Sequence, residues 1–285
     1  MEPGVHWKRA PVFSSIAILA SACIALCVLA TAEAQHHEAC TPNYAVFQEG
    51  EELVYDVRYL GISLGSIVSR ITRIDSSRGF RQIFTEALIR TNRGVPFVTL
   101  NTRFRSVLGD SLESAAFNTK EYLSDYSAFK HIEYVYSTRE NRVYINEYVE
   151  RHPRTRKRDT LDLEHKLWQD GLSLLYYARA FAHNSCERDI PVLMYRSKAT
   201  TSIRFGISRG RVNIKAVRYP VAVNKLDGET GFTGIFGLTG DFEGWFSDDA
   251  ASIPISAKMH VLIGSVRLEL VEWKRAGWKP PRASS

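Results

Sequence analysis

Glu51-Glu52-Leu53-Val54-Tyr55-Asp56-Val57-Arg58-Tyr59 is the stretch that decides the fold class. Leu53, Tyr55, Val57 and Tyr59 alternate with Glu52, Asp56 and Arg58, the period of two expected of a strand with one buried face. Gly61 and Gly65 are read as flanking a turn, with 66–74 as the returning strand. The same rhythm carries on through 82–90, 97–107, 112–122, 131–137 and 142–149, with turns such as Asp75-Ser76-Ser77 and Arg139-Glu140-Asn141 between them. It resumes at 189–196, 200–207, 211–217, 222–224, 241–246, 253–259 and 264–273. So many strands predict a mainly β fold, an antiparallel curled sheet or open barrel, because a flat open sheet leaves reactive edges.

One segment breaks the rhythm. Residues 170–183 predict an amphipathic helix: Asp170 is a good N-cap, Leu172, Leu175 and Arg179 share a stripe, and Leu174, Ala178 and Phe181 lie beside it. Asn184 is the expected stop. Such a helix can plug one end of a barrel or cover its open side. Arg179 is expected to reach a strand carboxylate or carbonyl.

The N-terminus has the pattern of an export signal. Lys8 and Arg9 precede an uncharged apolar run, which closes on Ala32-Glu33-Ala34, a small-x-small cleavage site. Residues 1–34 are therefore expected to be a signal peptide and the mature chain exported, to the periplasm or envelope. Two other readings stay open. The run is long enough to remain as an N-terminal membrane anchor. A lipoprotein anchored at Cys23 is the third, opposed by Ala20 in place of a large aliphatic residue and by the apolar run continuing past Cys23. The rest divides into a lead-in at 35–48, one β domain at 49–273, and a polar tail at 274–285 expected to fray.

Composition narrows the classes further. Removing Glu2, Lys8, Arg9 and Glu33 leaves the net charge of +6 unchanged. No second long apolar run follows the first, so the mature part is not a helical membrane protein, and charges on both faces of several strands oppose a transmembrane barrel. Cys40 and Cys186 are the two cysteines outside the leader, and in an oxidising compartment they are expected to pair. No CxxC and no zinc spacing is present, and no cofactor is expected.

Several motifs offer chemistry and do not sustain it. Gly61-Ile62-Ser63-Leu64-Gly65 and Gly206-Ile207-Ser208-Arg209-Gly210 match the nucleophile-elbow string, but each sits between β-patterned segments where an elbow needs a following helix. Both are read as hairpin turns, and no catalytic residue is assigned. His36-His37-Glu38 has too few fixed ligands for a metal site. Arg151, Arg154, Arg156, Lys157 and Arg158 form the densest positive run. It is read as a solvated loop between two strands, or as a contact for anionic headgroups or another acidic envelope polymer. Asp241, Glu243, Asp248 and Asp249 are the best acidic cluster, with no supporting spacing. The many aromatics fit core packing or a greasy cavity.

Three stretches together resemble the DUF3108 family of exported bacterial proteins. They are Gly50-Glu51-Glu52-Leu53-Val54-Tyr55-Asp56-Val57 with Gly61 and Leu64-Gly65; Asp170-Gly171-Leu172-Ser173-Leu174-Leu175-Tyr176-Tyr177-Ala178-Arg179; and Trp245-Phe246-Ser247-Asp248-Asp249 with Ile253-Pro254-Ile255 and Ile263-Gly264-Ser265-Val266. The resemblance implies a secreted, mainly β protein with one helix and implies no activity. The leading expectation is a non-enzymatic envelope protein that binds an apolar or amphiphilic ligand of lipid or lipoprotein type. The alternatives are an envelope hydrolase using carboxylates near Asp241–Asp249 and a structural or assembly protein. Expected partners are a lipid or an envelope protein, with peripheral membrane contact and no nucleic acid.

Overall fold

The alternation of the sequence resolves into a single antiparallel sheet. The computed structural model describes residues 40–77, 79–95, 100–232, 240–261 and 264–284. The leader at 1–34, His36-His37-Glu38 and the start of the strand read at 97 lie outside them. Fourteen strands are present among the described residues: β1 (Glu52–Tyr59), β2 (Ile62–Asp75), β3 (Gln82–Thr91), β4 (Asn101–Leu108), β5 (Ser114–Leu123), β6 (Ala128–Ser137), β7 (Arg142–Val149), β8 (His152–Asp162), β9 (Glu187–Met194), β10 (Ser197–Val212), β11 (Val221–Thr230), β12 (Gly240–Ser247), β13 (Pro254–His260) and β14 (Ser265–Lys274). One helix, α1 (Ser173–Phe181), separates the two runs of strands.

Connectivity is a meander in two pieces. The spatial order is β8-β7-β6-β5-β4-β3-β2-β1-β14-β13-β12-β11-β10-β9. Strands adjacent in space are consecutive in sequence everywhere except at the β1–β14 seam, where Glu52 lies opposite Lys274 and Tyr59 opposite Val266. The sheet curls without closing, and β8 and β9 are its edges. A strap between β8 and α1 stands in for a closing strand. Gln169 N donates to Pro191 O at 2.8 Å and Leu193 N to Gln169 O at 2.8 Å, while Ser114 N donates to Trp168 O at 2.8 Å. The strap thus satisfies part of the β9 edge and ties it to β5 across the interior.

Four sequence readings need correction. Residues 151–158 are not a loop: from His152 they form edge strand β8. Its outward arginines and Pro153 are residues that discourage further strand pairing. Residues 206–210 are not a hairpin turn either. The strands read at 200–207 and 211–217 are largely one strand, β10, whose register with β11 shifts between Arg204 and Ser208. Gly206 sits there at φ +58°, and a Cβ on it would lie 2.2 Å from Asn184 O, so the glycine serves a bulge. Gly65 flanks no turn. It lies inside β2, where a Cβ would meet Arg90 O at 2.1 Å, so its role is close approach to β3. Gly61, at φ +84°, does form the β1–β2 turn. Finally, the tail is held down. Ala222 N donates to Pro281 O and Ala283 N to Pro220 O, each at 2.9 Å, and Trp278 Nε1 donates to Asp249 Oδ2 at 2.8 Å.

The antiparallel meander fixes which turns share an end. The β1–β2, β3–β4, β5–β6, β7–β8, β11–β12 and β13–β14 connections lie at one end, whereas the β9–β10 hairpin packs on the strap, with Lys198 bonded to Glu164 at 2.5 Å. The opposite end holds α1 and the remaining turns.

Candidate functional site

The helix end is organised by two buried polar clusters. Glu51 immediately precedes β1, and its carboxylate accepts from Arg179 Nη1 at 2.5 Å and Nη2 at 2.8 Å. Arg275, just past β14, donates to the same carboxylate at 2.5 Å. Arg179 also donates to Ala251 O at 3.0 Å and Val46 O at 2.9 Å. Its charge is almost wholly buried, and only such a full set of acceptors offsets the lost hydration. The arginine therefore clamps α1 to the start of β1, the end of β14 and the β12–β13 turn. Arg179 does reach a carboxylate and carbonyls, as its place on the helix suggests.

Asp170 is the second anchor and is fully buried. Its Oδ1 accepts from Leu172 N at 2.7 Å and Ser173 N at 2.8 Å, the action of an N-cap. Its Oδ2 accepts from Ser106 and Ser114, each at 2.6 Å, fastening the helix start to β4 and β5. Burial pushes this carboxyl above its ordinary range, against the pull of the four hydrogen bonds. The other end of α1 is fixed by Asn184, whose N donates to Phe181 O at 2.9 Å. The Cys40–Cys186 disulfide joins the lead-in to the segment after the helix, with Cα atoms 6.0 Å apart.

Above the anchored helix the curled sheet encloses a cavity of about 310 Å³. Leu172, Leu174, Leu175 and Ala178 form its floor. The alternating inward residues of the strands form its wall, among them Val57, Ile67, Ile89, Phe104, Phe242 and Leu268. Beside the start of the helix it is lined by Gly171 and by Met194 and Tyr195 of the β9–β10 hairpin, where Tyr195 is 58% exposed. Most of the few polar side chains on the wall are engaged elsewhere. Ser69 Oγ pairs with Tyr176 Oη at 2.8 Å and Ser256 Oγ donates to Leu268 O at 2.8 Å. Glu243 is bound by Lys225, which holds its carboxyl below the usual range. The cavity offers shape and apolar contact, with few groups left to do chemistry.

The other sequence candidates scatter. Asp241 and Asp248 stand seven residues apart across β12, so their carboxyls are roughly 20 Å apart, beyond any paired-carboxylate geometry. Asp249 organises the turn that follows, accepting from Ala251 N at 3.0 Å and Ser252 N at 3.1 Å. Asp248 accepts from Asn224 Nδ2 at 3.0 Å, and the same amide lies 2.8 Å from His183 Nδ1. His183 Nε2 lies 3.2 Å from Ser247 O, so both ring nitrogens have partners within the fold. Ser63 donates to Asp56 at 2.6 Å and Ser208 lies exposed in β10, each within a strand. Among the described residues no three His, Cys, Asp or Glu side chains gather as a metal site. Arg151, Arg154, Arg156, Lys157 and Arg158 stay exposed at the β8 edge, with Arg156 over the Tyr148 ring.

Fold and cavity define a class: a mainly β protein whose single curled antiparallel sheet is stoppered at one end by a helix and encloses an apolar interior. The chain belongs to the DUF3108 family, described as a protein of unknown function, which matches residues 54–271. No curated relative matches it. Among solved structures it is similar to a β-barrel-like protein of the domain of unknown function DUF1849 from Brucella abortus, at 12% identity over 78% of this chain and 96% of that one, TM-score 0.49. It is also similar to a protein from Bacteroides fragilis described as exported with a YmcC-like fold (11% identity, 80% and 97% coverage, TM-score 0.37). A third is a protein from Parabacteroides distasonis described as a lipoprotein (11% identity, 83% and 100% coverage, TM-score 0.35).

Proposed function

We propose that this protein is a non-enzymatic component of the bacterial envelope that holds an apolar or amphiphilic ligand, of lipid or lipoprotein type, inside the curled sheet. The observation that carries the reading is the cavity itself. Natural interiors are packed with few voids larger than a water molecule, and a space this large with an apolar wall is an unmet demand for apolar atoms. Export is supported by the leader sequence and by the Cys40–Cys186 disulfide, which suits an oxidising compartment such as the periplasm.

Native mass spectrometry with solvent extraction, on protein purified from its own envelope, tests the reading. The expected result is a co-purifying lipid-like mass that leaves under activation. A ligand-free mass together with an empty extract rejects a tight carrier.

A further inference from the structure

The two ends of the sheet differ in chemistry. At the helix end of β1–β8 the turns are mostly polar, Asp75-Ser76-Ser77, Gly109-Asp110-Ser111 and Thr138-Arg139-Glu140-Asn141, with Phe80 the exposed ring of the β2–β3 connection. At the opposite end the β1–β2 tip presents Leu60 and Ile62, 73% and 67% exposed. The β5–β6 tip adds Tyr126, with Tyr122 just before it, both exposed. Exposed aliphatic side chains at the tip of a tight hairpin keep most of their apolar surface in water. Entering an apolar phase removes that hydration cost.

Cations surround these tips. Arg90 and Arg93 flank the β3–β4 connection, and Arg151 and Arg154 flank the β7–β8 turn; all four are exposed and in no ion pair among the described residues. Of the acids nearby, Asp56 is paired with Arg58 at 2.5 Å, and Glu150 with Lys120 and His131 at 2.9 and 2.7 Å. Glu121 and Asp125 remain to oppose the four arginines. The chain as a whole carries +6. Aliphatic and tyrosine tips inside a collar of arginine are what an anionic bilayer surface accepts, since the tips enter the headgroup region while the guanidinium groups meet phosphate.

We propose that the hairpin end formed by β1–β2, β3–β4, β5–β6 and β7–β8 docks on an anionic lipid surface. The docking rests on the tips and their collar and stands whether or not the cavity carries a lipid.

A site-resolved fluorescence titration tests it. Leu60→Trp and, at the opposite end, Phe80→Trp (Phe80 is 45% exposed) are placed separately in the full chain as cells process it. Each is titrated with phosphatidylglycerol and with phosphatidylcholine vesicles, and the signal is taken as the difference from the parent chain. A blue shift for Leu60→Trp alone, much stronger with phosphatidylglycerol and lost at high salt, is expected. The double variant Leu60→Asp/Ile62→Asp, with an unchanged circular dichroism spectrum, is expected to bind at least about tenfold more weakly. Equal shifts at both ends, a shift at Phe80→Trp alone, equal response to the two lipids, or no response at Leu60→Trp each overturns the proposal. Because the readout follows one end of the sheet, membrane attachment through residues 1–34 does not mimic it, and an empty cavity in the mass spectrum does not affect it.

Discussion

At the scale of single residues, Asp170 shows how a site can be legible in type and not in partners. Its position before an apolar run marks an N-cap, because a short side-chain acceptor there meets the unpaired N–H groups of the first turn. Its other partners, Ser106 and Ser114, are more than fifty residues away, and no local pattern announces them. The same holds for Arg179, whose reach toward a carboxylate could be read from the helix while Glu51 and Arg275 could not. Asp170 carries a pH prediction. Its folded carboxyl holds its proton to higher pH than an unfolded one, which titrates near about 3.9. Its contribution to stability is therefore complete below that pH and is lost as pH rises through the folded value. Glu243 and Glu164, held low by lysines, and Glu150, held low by its hydrogen bonds with His131 and Lys120, act in the opposite sense, so the group must be isolated by difference. Urea unfolding of the parent and of Asp170→Asn between about pH 3.5 and 7 is expected to give a parent-minus-variant stability that declines with pH and then levels off. A difference independent of pH would mean that Asp170 ionises in the fold as freely as in the unfolded chain.

At the scale of elements, periodicity located strands and was weakest where glycine or charge interrupted it. The bounds read for β7 coincide with those observed, because Val143, Ile145 and Val149 face the core and polar residues mark its ends. Strand β8 went unread because an edge strand with solvent on both faces has no buried side to impose alternation. Strand β10 was read as two because Gly206 and Gly210 look like turn residues, and a bulge leaves the same local signature as a turn. The two glycines now separate experimentally. Gly206 has a positive φ and a blocked Cβ position, whereas Gly210 has open space around an ordinary conformation. Gly206→Ala is expected to destabilise by about 2 kcal/mol or more, and Gly210→Ala to change stability by less than about 0.5 kcal/mol. Thermal or urea denaturation of the pair checks this; comparable losses at both positions would show that the bulge does not depend on Gly206.

At the scale of the whole molecule, what the sequence could not show was the seam. Pairing of β1 with β14 joins residues more than two hundred apart, and their alternation is equally consistent with other neighbours. The cavity follows from that seam and from the strap, since together they curl the sheet around α1 and leave the space above the helix unfilled. Nothing in the aromatic content alone separated a packed core from a hollow one. A substitution that fills the hollow does. Ala87 is buried on β3 with its side chain on the cavity wall, opposite Phe104 on β4. Ala87→Phe adds six carbon atoms toward the space. In a packed core such an enlargement costs about 1–3 kcal/mol through strain. Against an unfilled apolar cavity it buries new surface without displacing neighbours, and the ligand-free protein is expected to gain on the order of 1 kcal/mol. The same ring occupies volume that a bound lipid would need, so the variant purified from its envelope should retain several-fold less ligand than the parent. The two readouts must move together: a variant that is less stable and keeps its ligand would place the ligand outside the sheet and make the hollow a tightly packed interior.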